Sequence, residues 1–182
     1  MSARTANLVS AGVAVVALAY LATMVVSGAL PRQEQLIRFE ARGVMQVPPE
    51  AITRVELRRG ASAITLRRGG DGAWSGSDGR LLAPEAARHI TMAVQMMNTS
   101  APVKEVAESE LQGMDRTPFG LDAPQVEAAL YRGDAQVVKV RFGAINPEGY
   151  LQYMALAGSA DLFLMSRFVG AEWAQAADTI MH

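Results

Sequence analysis

The residues that could do chemistry in this chain are few and far apart. The chain holds two histidines, His89 and His182, and no cysteine. No third imidazole and no thiolate is present to complete a typical zinc site. Serine and aspartate could form a triad with His89, yet no Gly-x-Ser-x-Gly segment presents a nucleophilic serine. We therefore predict a protein that is not an enzyme and that uses no metal and no cofactor.

One segment, TPFGLDAP at residues 117–124, could be either a ligand-binding loop or a structural turn. No anion-binding lysine follows it, no metal-ligand spacing surrounds it, and Asp122 stands alone among the acids nearby. Gly120 can adopt a left-handed backbone, Asp122 can accept bonds from later amides, and Pro124 keeps the chain extended. The segment is therefore predicted to be a structural turn anchored to the core. Its structural residues are Phe119, Gly120, Leu121, Asp122 and Pro124.

The first elements of the domain are two strands that form a hairpin. If Gly60-Ala61 is a two-residue turn, Leu57 faces Ile64 and Val55 faces Leu66, so these four apolar residues share the core face. The opposite face is then either an ordinary solvated sheet face or a docking surface for an acidic partner or lipid headgroups. Its candidate docking residues are Arg54, Arg58 and Arg67.

The remaining pattern predicts more strands and two helices. Turn residues bring Trp74 onto a returning strand, and Pro84 begins a helix with an apolar stripe. Residues 103–114 are predicted to include a short helix with solvated glutamates. Alternating strands follow residue 126, and a C-terminal helix packs Trp173. Because the strands outnumber the helices and run in hairpins without a helix after each strand, the predicted fold class is α+β, with a mainly antiparallel sheet and about two covering helices.

The amino-terminal part of the sequence is apolar. Residues 8–30 contain no charge and are long enough to cross a bilayer as one helix. A secretory signal cleaved near Ser27-Gly28-Ala29 is the alternative. We predict a transmembrane anchor over residues 1–31, a juxtamembrane tether over residues 32–50 and an extracytoplasmic domain over residues 51–182. The predicted location is the bacterial inner membrane, single-pass, with most of the chain in the periplasm.

The charge balance excludes one class of partner. The formal net charge is −1, and neither sign forms a long run. A nucleic-acid-binding domain carries a basic patch or stripe, which this sequence lacks. No nucleic-acid partner is therefore predicted.

The order of several short segments resembles a known family. ITRVEL begins the series at residue 52, a glycine-rich loop leads to Trp74, and FGLDAP precedes a strand, GYLQYM and DLFLM. Over residues 51–178 the chain resembles the domain-of-unknown-function 4340 family, whose most specific shared element is residues 119–124. The resemblance implies an extracytoplasmic α+β domain on one membrane anchor, sometimes associated with transporter systems of the gliding-motility type. It implies no catalytic residues, and this chain lacks the transporter segment.

Two functions follow as hypotheses. The first is a non-catalytic accessory subunit that docks to a larger integral membrane protein complex, photosynthetic or respiratory, and contacts the lipid bilayer. The alternative is an auxiliary ligand-binding or coupling protein of an ABC-type transporter system. That alternative predicts a pocket beside FGLDAP and residues 143–150 lined by Tyr150, Tyr153 or Trp74.

Overall fold

The chain divides into two compact units, Met1–Glu40 and Ala41–His182. The structure is a computed structural model that describes residues 15–20, 23 and 43–181. In the first unit, residues 15–20 and 23 are helical. The second unit contains the sheet and the two long helices described below.

The predicted transmembrane helix is the part of the fold prediction that must be corrected. Most of residues 8–30 lie outside the described residues. In the part of the chain that the structure describes, no helix has the length and apolar character to cross a membrane, for which about 20 consecutive residues are required. The predicted fold class, a transmembrane helix followed by an α+β domain, is therefore wrong in this form. The described residues form mainly an eight-stranded antiparallel sheet with few helices.

All eight strands lie in one sheet, in the order β3-β2-β1-β5-β6-β7-β8-β4. Every neighbouring pair is antiparallel. The strands are β1 Arg54–Arg59, β2 Ser62–Arg68, β3 Trp74–Gly76, β4 Lys104–Val106, β5 Val126–Arg132, β6 Ala135–Ile145, β7 Leu151–Leu156 and β8 Leu162–Ser166.

The predicted register of the first hairpin is confirmed. Leu57 pairs with Ile64 and Val55 with Leu66, across a turn in which Gly60 has φ 57°. A two-residue turn fixes the pairing of every residue that follows, because side chains alternate strictly between the two faces of a strand. The hairpin therefore has one apolar face and one charged face.

The prediction of a short helix within residues 103–114 is wrong for its first part. Lys104–Val106 is strand β4, which pairs antiparallel with β8 at the edge of the sheet. The 3-10 helix Glu108–Leu111 follows it and buries Leu111. The polar composition of β4 suits an exposed edge, where charged side chains hinder further strand pairing.

Two long helices, α1 Pro84–Thr99 and α2 Arg167–Met181, pack against one another and against the apolar face of the sheet. Proline at the first position suits the start of α1, because that residue has no intrahelical acceptor for an amide proton. Trp173 of α2 is fully buried in the same cluster as Phe142 of β6. Apolar packing therefore joins both helices and the central strands into one core.

Residues 43–52 begin this unit by packing against α1. The amides of Gly43 and Met45 donate to the carbonyls of Asn98 and Met97, at 2.9 Å each. Met45 and Ile52 are buried in the core. The backbone at the end of α1 is thereby paired with the incoming chain.

Candidate docking face

The side chains of the central strands that point away from the helices form a continuous surface, which we call the open face. Strand register arranges it in rows across the sheet: Arg58 lies between Ala63 and Glu127, and Glu127 is followed by Arg141. The next row places Thr65, Glu56, Ala129 and Lys139 side by side, and the third places Arg67, Arg54 and Tyr131. The open face is defined by these eleven residues, Arg54, Glu56, Arg58, Ala63, Thr65, Arg67, Glu127, Ala129, Tyr131, Lys139 and Arg141.

Cations outnumber acids on the open face. The cations are Arg54 and Arg58 of β1, Arg67 of β2, and Lys139 and Arg141 of β6. The acids are Glu56 and Glu127. Glu127 lies 4.0 Å from the ammonium of Lys139, and Glu56 lies 3.6 Å from Nε of Arg54. Each carboxylate is thus matched to one cation. The other arginines have no carboxylate of this face to pair with.

Arg54, one of the three predicted docking residues, is held by its neighbours. Its guanidinium carbon lies 4.0 Å from the ring centroid of Tyr131, and Nη1 lies 3.4 Å from Asp134. Only 18% of the side chain is exposed. Arg54 sits directly opposite Arg67, an arrangement that would be repulsive. The acids and the ring beside Arg54 offset that repulsion, so Arg54 has a structural role.

Arg58 and Arg67, the other two predicted docking residues, are exposed. Within residues 43–181 neither of them takes part in an ion pair. Their guanidinium groups offer several donors in a planar fork that matches a carboxylate. These two residues are therefore the part of the predicted trio that remains free to bind an acidic group.

Tyr131 completes the network around Arg54. Its hydroxyl donates to Oε2 of Glu56 at 3.0 Å. Partial burial, followed by the hydrogen bond and the negative charge of Glu56, raises the pKa of Tyr131, while Arg54 acts in the opposite direction. The neutral phenol is thus the form that fits this position.

The middle of the open face is concave. Ala63 and Ala129 are small residues in neighbouring rows. They line one depression together with the charged side chains of Arg58, Glu56 and Lys139. The resulting depression has a volume of about 450 Å³. It is broad and lined mainly by polar groups, unlike the apolar clefts that enclose small organic ligands.

The TPFGLDAP segment is a turn packed closely on β6. Gly120 has φ 65°, a left-handed conformation that favours glycine. A side chain at Gly143 of β6 would collide with the carbonyl of Phe119 and would lie 3.1 Å from a methyl carbon of Leu121. The ring of Phe119 lies 4.8 Å from that of Tyr153. The anchor of the turn is thus the outer surface of β6 and β7 rather than the main core.

Of two acids in this region, Asp115 rather than Asp122 bonds to a backbone amide. Among the described residues Asp122 makes no hydrogen bond, whereas Asp115 accepts one from the amide of Thr117 at 2.9 Å. Hydrogen bonding to the Thr117 side chain and amide lowers the pKa of Asp115. After Pro124, the amide of Gln125 donates to the carbonyl of Phe142 at 2.8 Å, where pairing of β5 with β6 begins.

His89 lies between the two helices. It is buried, and its Nδ1 lies 2.7 Å from Oε1 of Glu172 on α2. Its Nε2 lies 4.0 Å from Glu85 on α1. No group of three or more histidine, aspartate or glutamate side chains that could hold a metal occurs among the described residues. The geometry gives His89 a place in the α1–α2 contact.

The three aromatic residues of the predicted ligand pocket are not brought together. Tyr150 is 74% exposed, and the ring of Tyr153 packs at a tilt of 47° against that of Phe119. Trp74 is buried, and its indole donates to Thr91 at 3.1 Å beside a separate cavity of about 360 Å³ near α1. The cavity beside Phe119 contains none of these three residues.

Sequence reasoning missed Lys139 and Arg141 as members of the open face. Both alternate along β6 with the apolar residues Val138, Val140 and Phe142. The same alternation places Lys139 and Arg141 on the opposite side. The strand pattern was therefore a sufficient signal, but their distance in sequence from Arg58 concealed that they share its surface.

Comparison with known proteins assigns no family to this chain: no family model, no curated protein and no solved structure matches it. The resemblance to the domain-of-unknown-function 4340 family stays a prediction. Inference about function consequently depends on the geometry of the described residues.

Proposed function

We propose that this protein is a non-catalytic accessory subunit that docks to an acidic surface of a larger protein complex through the open face. The observation that carries the proposal is the pair of exposed arginines, Arg58 and Arg67, on a sheet face that neither long helix covers. Carboxylates of a partner would form charge-assisted hydrogen bonds with both guanidinium groups.

The charge of this face differs from that of the whole chain. The formal net charge of the protein is −1, whereas the open face holds five cationic side chains and two carboxylates. A local excess of one sign attracts an oppositely charged partner and orients it during approach. We therefore expect association to be fast at low ionic strength and to weaken as salt is added.

The shape of the face also supports a protein partner. The depression is lined by the small side chains of Ala63 and Ala129 as well as by charged side chains, so a convex acidic surface could enter it between the charged groups. Arg54 and Tyr131 are fixed by mutual contact in the next row of the open face. A preorganised surface of this kind reduces the entropy lost on binding.

Four further features remain predictions from the sequence. They are an integral membrane complex as the partner, contact with the lipid bilayer, location at the inner membrane, and a domain on the periplasmic side. The alternative, an auxiliary protein of an ABC-type transporter system, also remains a prediction, and no specific contact of the described residues favours it.

The test is a comparison of charge-reversal variants in cells that naturally produce the protein. The double variant Arg58→Glu, Arg67→Glu should lose its larger complex on native gels after mild extraction, because both free cations become anions. Arg88→Glu is the matched control, since Arg88 is exposed on α1 and away from the sheet. Equal complex formation by the wild type and the double variant would refute the proposed docking face.

A further inference from the structure

A second, smaller cavity adjoins the open face at Arg141. It lies between the chain that precedes β5 and the hairpin of β7 and β8, and its volume is about 170 Å³. Leu111, Phe119, Leu121 and Leu162 contribute apolar walls, and Ala155 lies beside Arg141 in the same row of the sheet. We call it the anchor cavity.

The charges around the anchor cavity balance. Arg116 and Arg141 contribute two cations, and Asp122 and Asp161 contribute two acids. The carboxylate of Asp161 already accepts the amide of Glu108 at 2.9 Å and the hydroxyl of Ser159 at 3.1 Å. Arg141 donates to the carbonyl of Leu121 at 3.3 Å. The two signs cancel, so the cavity gives a charged occupant no net attraction, in contrast to the cationic open face.

The size of the cavity limits what can occupy it. Ligand pockets for small molecules usually have volumes of about 300–1,000 Å³, and this cavity has about 170 Å³. A single aliphatic side chain is of suitable size. In protein interfaces, such anchors inserted into small pockets supply much of the affinity.

Strand register relates the cavity to the docking residues. Arg58, Glu127, Arg141 and Ala155 lie in one row on four successive strands, β1, β5, β6 and β7. Neighbouring strands are about 4.8 Å apart, so Arg58 and Ala155 are separated by about 14 Å. An extended peptide covers that distance with about four residues, because it rises about 3.3 Å per residue.

We propose that the partner presents an extended segment with an acidic residue at Arg58 and, about four residues away, an aliphatic side chain of leucine size in the anchor cavity. This proposal rests on the proposed function and specifies the partner of the same face. A second copy of this chain is a poorer occupant, because its own cationic face would repel this one.

The test uses three fluorescein-labelled peptides of eight residues and measures binding by fluorescence anisotropy. The first begins with three acidic residues and has leucine at its sixth position, the second replaces that leucine with serine, and the third replaces the acids with their amides. The leucine peptide should bind the wild-type protein about tenfold more tightly than the serine peptide, as expected from burial of one aliphatic side chain.

Variants separate the cavity from the charged face. Ala155→Leu and Ala160→Leu fill the cavity from two positions, one buried and one exposed, and each should abolish the preference for leucine. Ala157→Leu is the control, because Ala157 is exposed on the same hairpin and does not line the cavity. The exposed site of Ala160 keeps the test valid if Ala155→Leu fails to fold.

The outcomes distinguish the two proposals. The leucine and serine peptides could bind the wild type equally while the double variant Arg58→Glu, Arg67→Glu binds neither of them. That result would overturn the proposed role of the anchor cavity and leave the docking face intact. Failure of both acidic peptides to bind would overturn both proposals. Concentration-dependent dimers in sedimentation, or binding of phosphatidylglycerol vesicles that competes with the leucine peptide, would assign the face to a second copy or to lipid and overturn the peptide proposal.

Discussion

Arginines that share one face of a sheet can have opposite roles, and their neighbours decide which. Arg54 and Arg67 are directly opposite each other, yet Arg54 is fixed by Glu56, Asp134 and the Tyr131 ring. Arg67 remains exposed. The sequence predicted that all three arginines of the trio point the same way. It did not predict which would be held, because Tyr131 and Asp134 approach Arg54 only through the pairing of β1 with β5.

The first prediction at this scale concerns Arg54. We expect Arg54→Ala to lower the free energy of unfolding by about 1 kcal/mol, because it removes a cation–π contact and partly buried ion pairs. Arg58→Ala should change it by less than about 0.5 kcal/mol, as is usual at exposed positions. Urea unfolding followed by circular dichroism measures both. Equal effects of the two substitutions would contradict the structural role of Arg54.

The second prediction concerns the phenol of Tyr131. Its pKa is raised above the ordinary 10.0, so its contribution to stability is complete below that value and is lost as the pH rises through the higher folded-state pKa. Glu56→Ala should shift the titration back toward 10.0, since it removes the hydrogen bond and the negative charge. The tyrosinate absorbance, with Tyr131→Phe subtracted, reports this group alone. An unchanged titration in Glu56→Ala would contradict the assignment.

At the scale of elements, the turn at residues 117–124 depends on Gly143 of the distant strand β6. Composition predicts a turn here, and Gly120 has the left-handed backbone that glycine favours. It did not indicate the close approach of Phe119 to Gly143. Contacts of that kind depend on how a loop packs across a strand, which local propensity does not contain.

We expect Gly143→Ala to destabilise the protein by about 1–3 kcal/mol, the usual cost of overpacking, because the new methyl group collides with the Phe119 carbonyl. Gly70→Ala is the control: no atom lies within 4 Å of its added carbon and its φ is not positive. Thermal unfolding of both variants measures the difference. Similar melting temperatures for the two would show that the turn can move away from β6 without cost.

At the scale of the whole molecule, local pairing was predictable and strand order was not. The first hairpin followed from alternation and a two-residue turn. The placement of β1 beside β5 joins Val55 to Leu130, and no short-range pattern records it. For the same reason the full extent of the open face was not predictable from the sequence. Lys139 of β6 joins Arg58 on this face only because β5 pairs with β1. The short strand β4 was missed because its polar residues resemble a solvated helix.

The common core predicts one cooperative unfolding transition. The chain has two tryptophans, Trp74 on β3 and Trp173 on α2, and both belong to the same apolar cluster. Trp74→Phe leaves Trp173, whose fluorescence reports on the helix. Trp173→Phe leaves Trp74, whose fluorescence reports on the sheet edge. We expect each single-tryptophan protein to show coincident transitions by fluorescence and far-ultraviolet circular dichroism. Separate midpoints within one variant would show that the edge and the helix unfold independently.

The strand order also has a kinetic consequence. From β5 to β8 each strand pairs with the next one along the chain, whereas β1 reaches β5 only after the chain closes a long loop. Local pairings form first, because the entropy of closing long loops slows distant ones. We expect Val140→Ala, within β6, to slow refolding, and Val55→Ala, in β1, mainly to speed unfolding. Stopped-flow measurements that gave the reverse pattern would place the pairing of β1 with β5 in the folding nucleus.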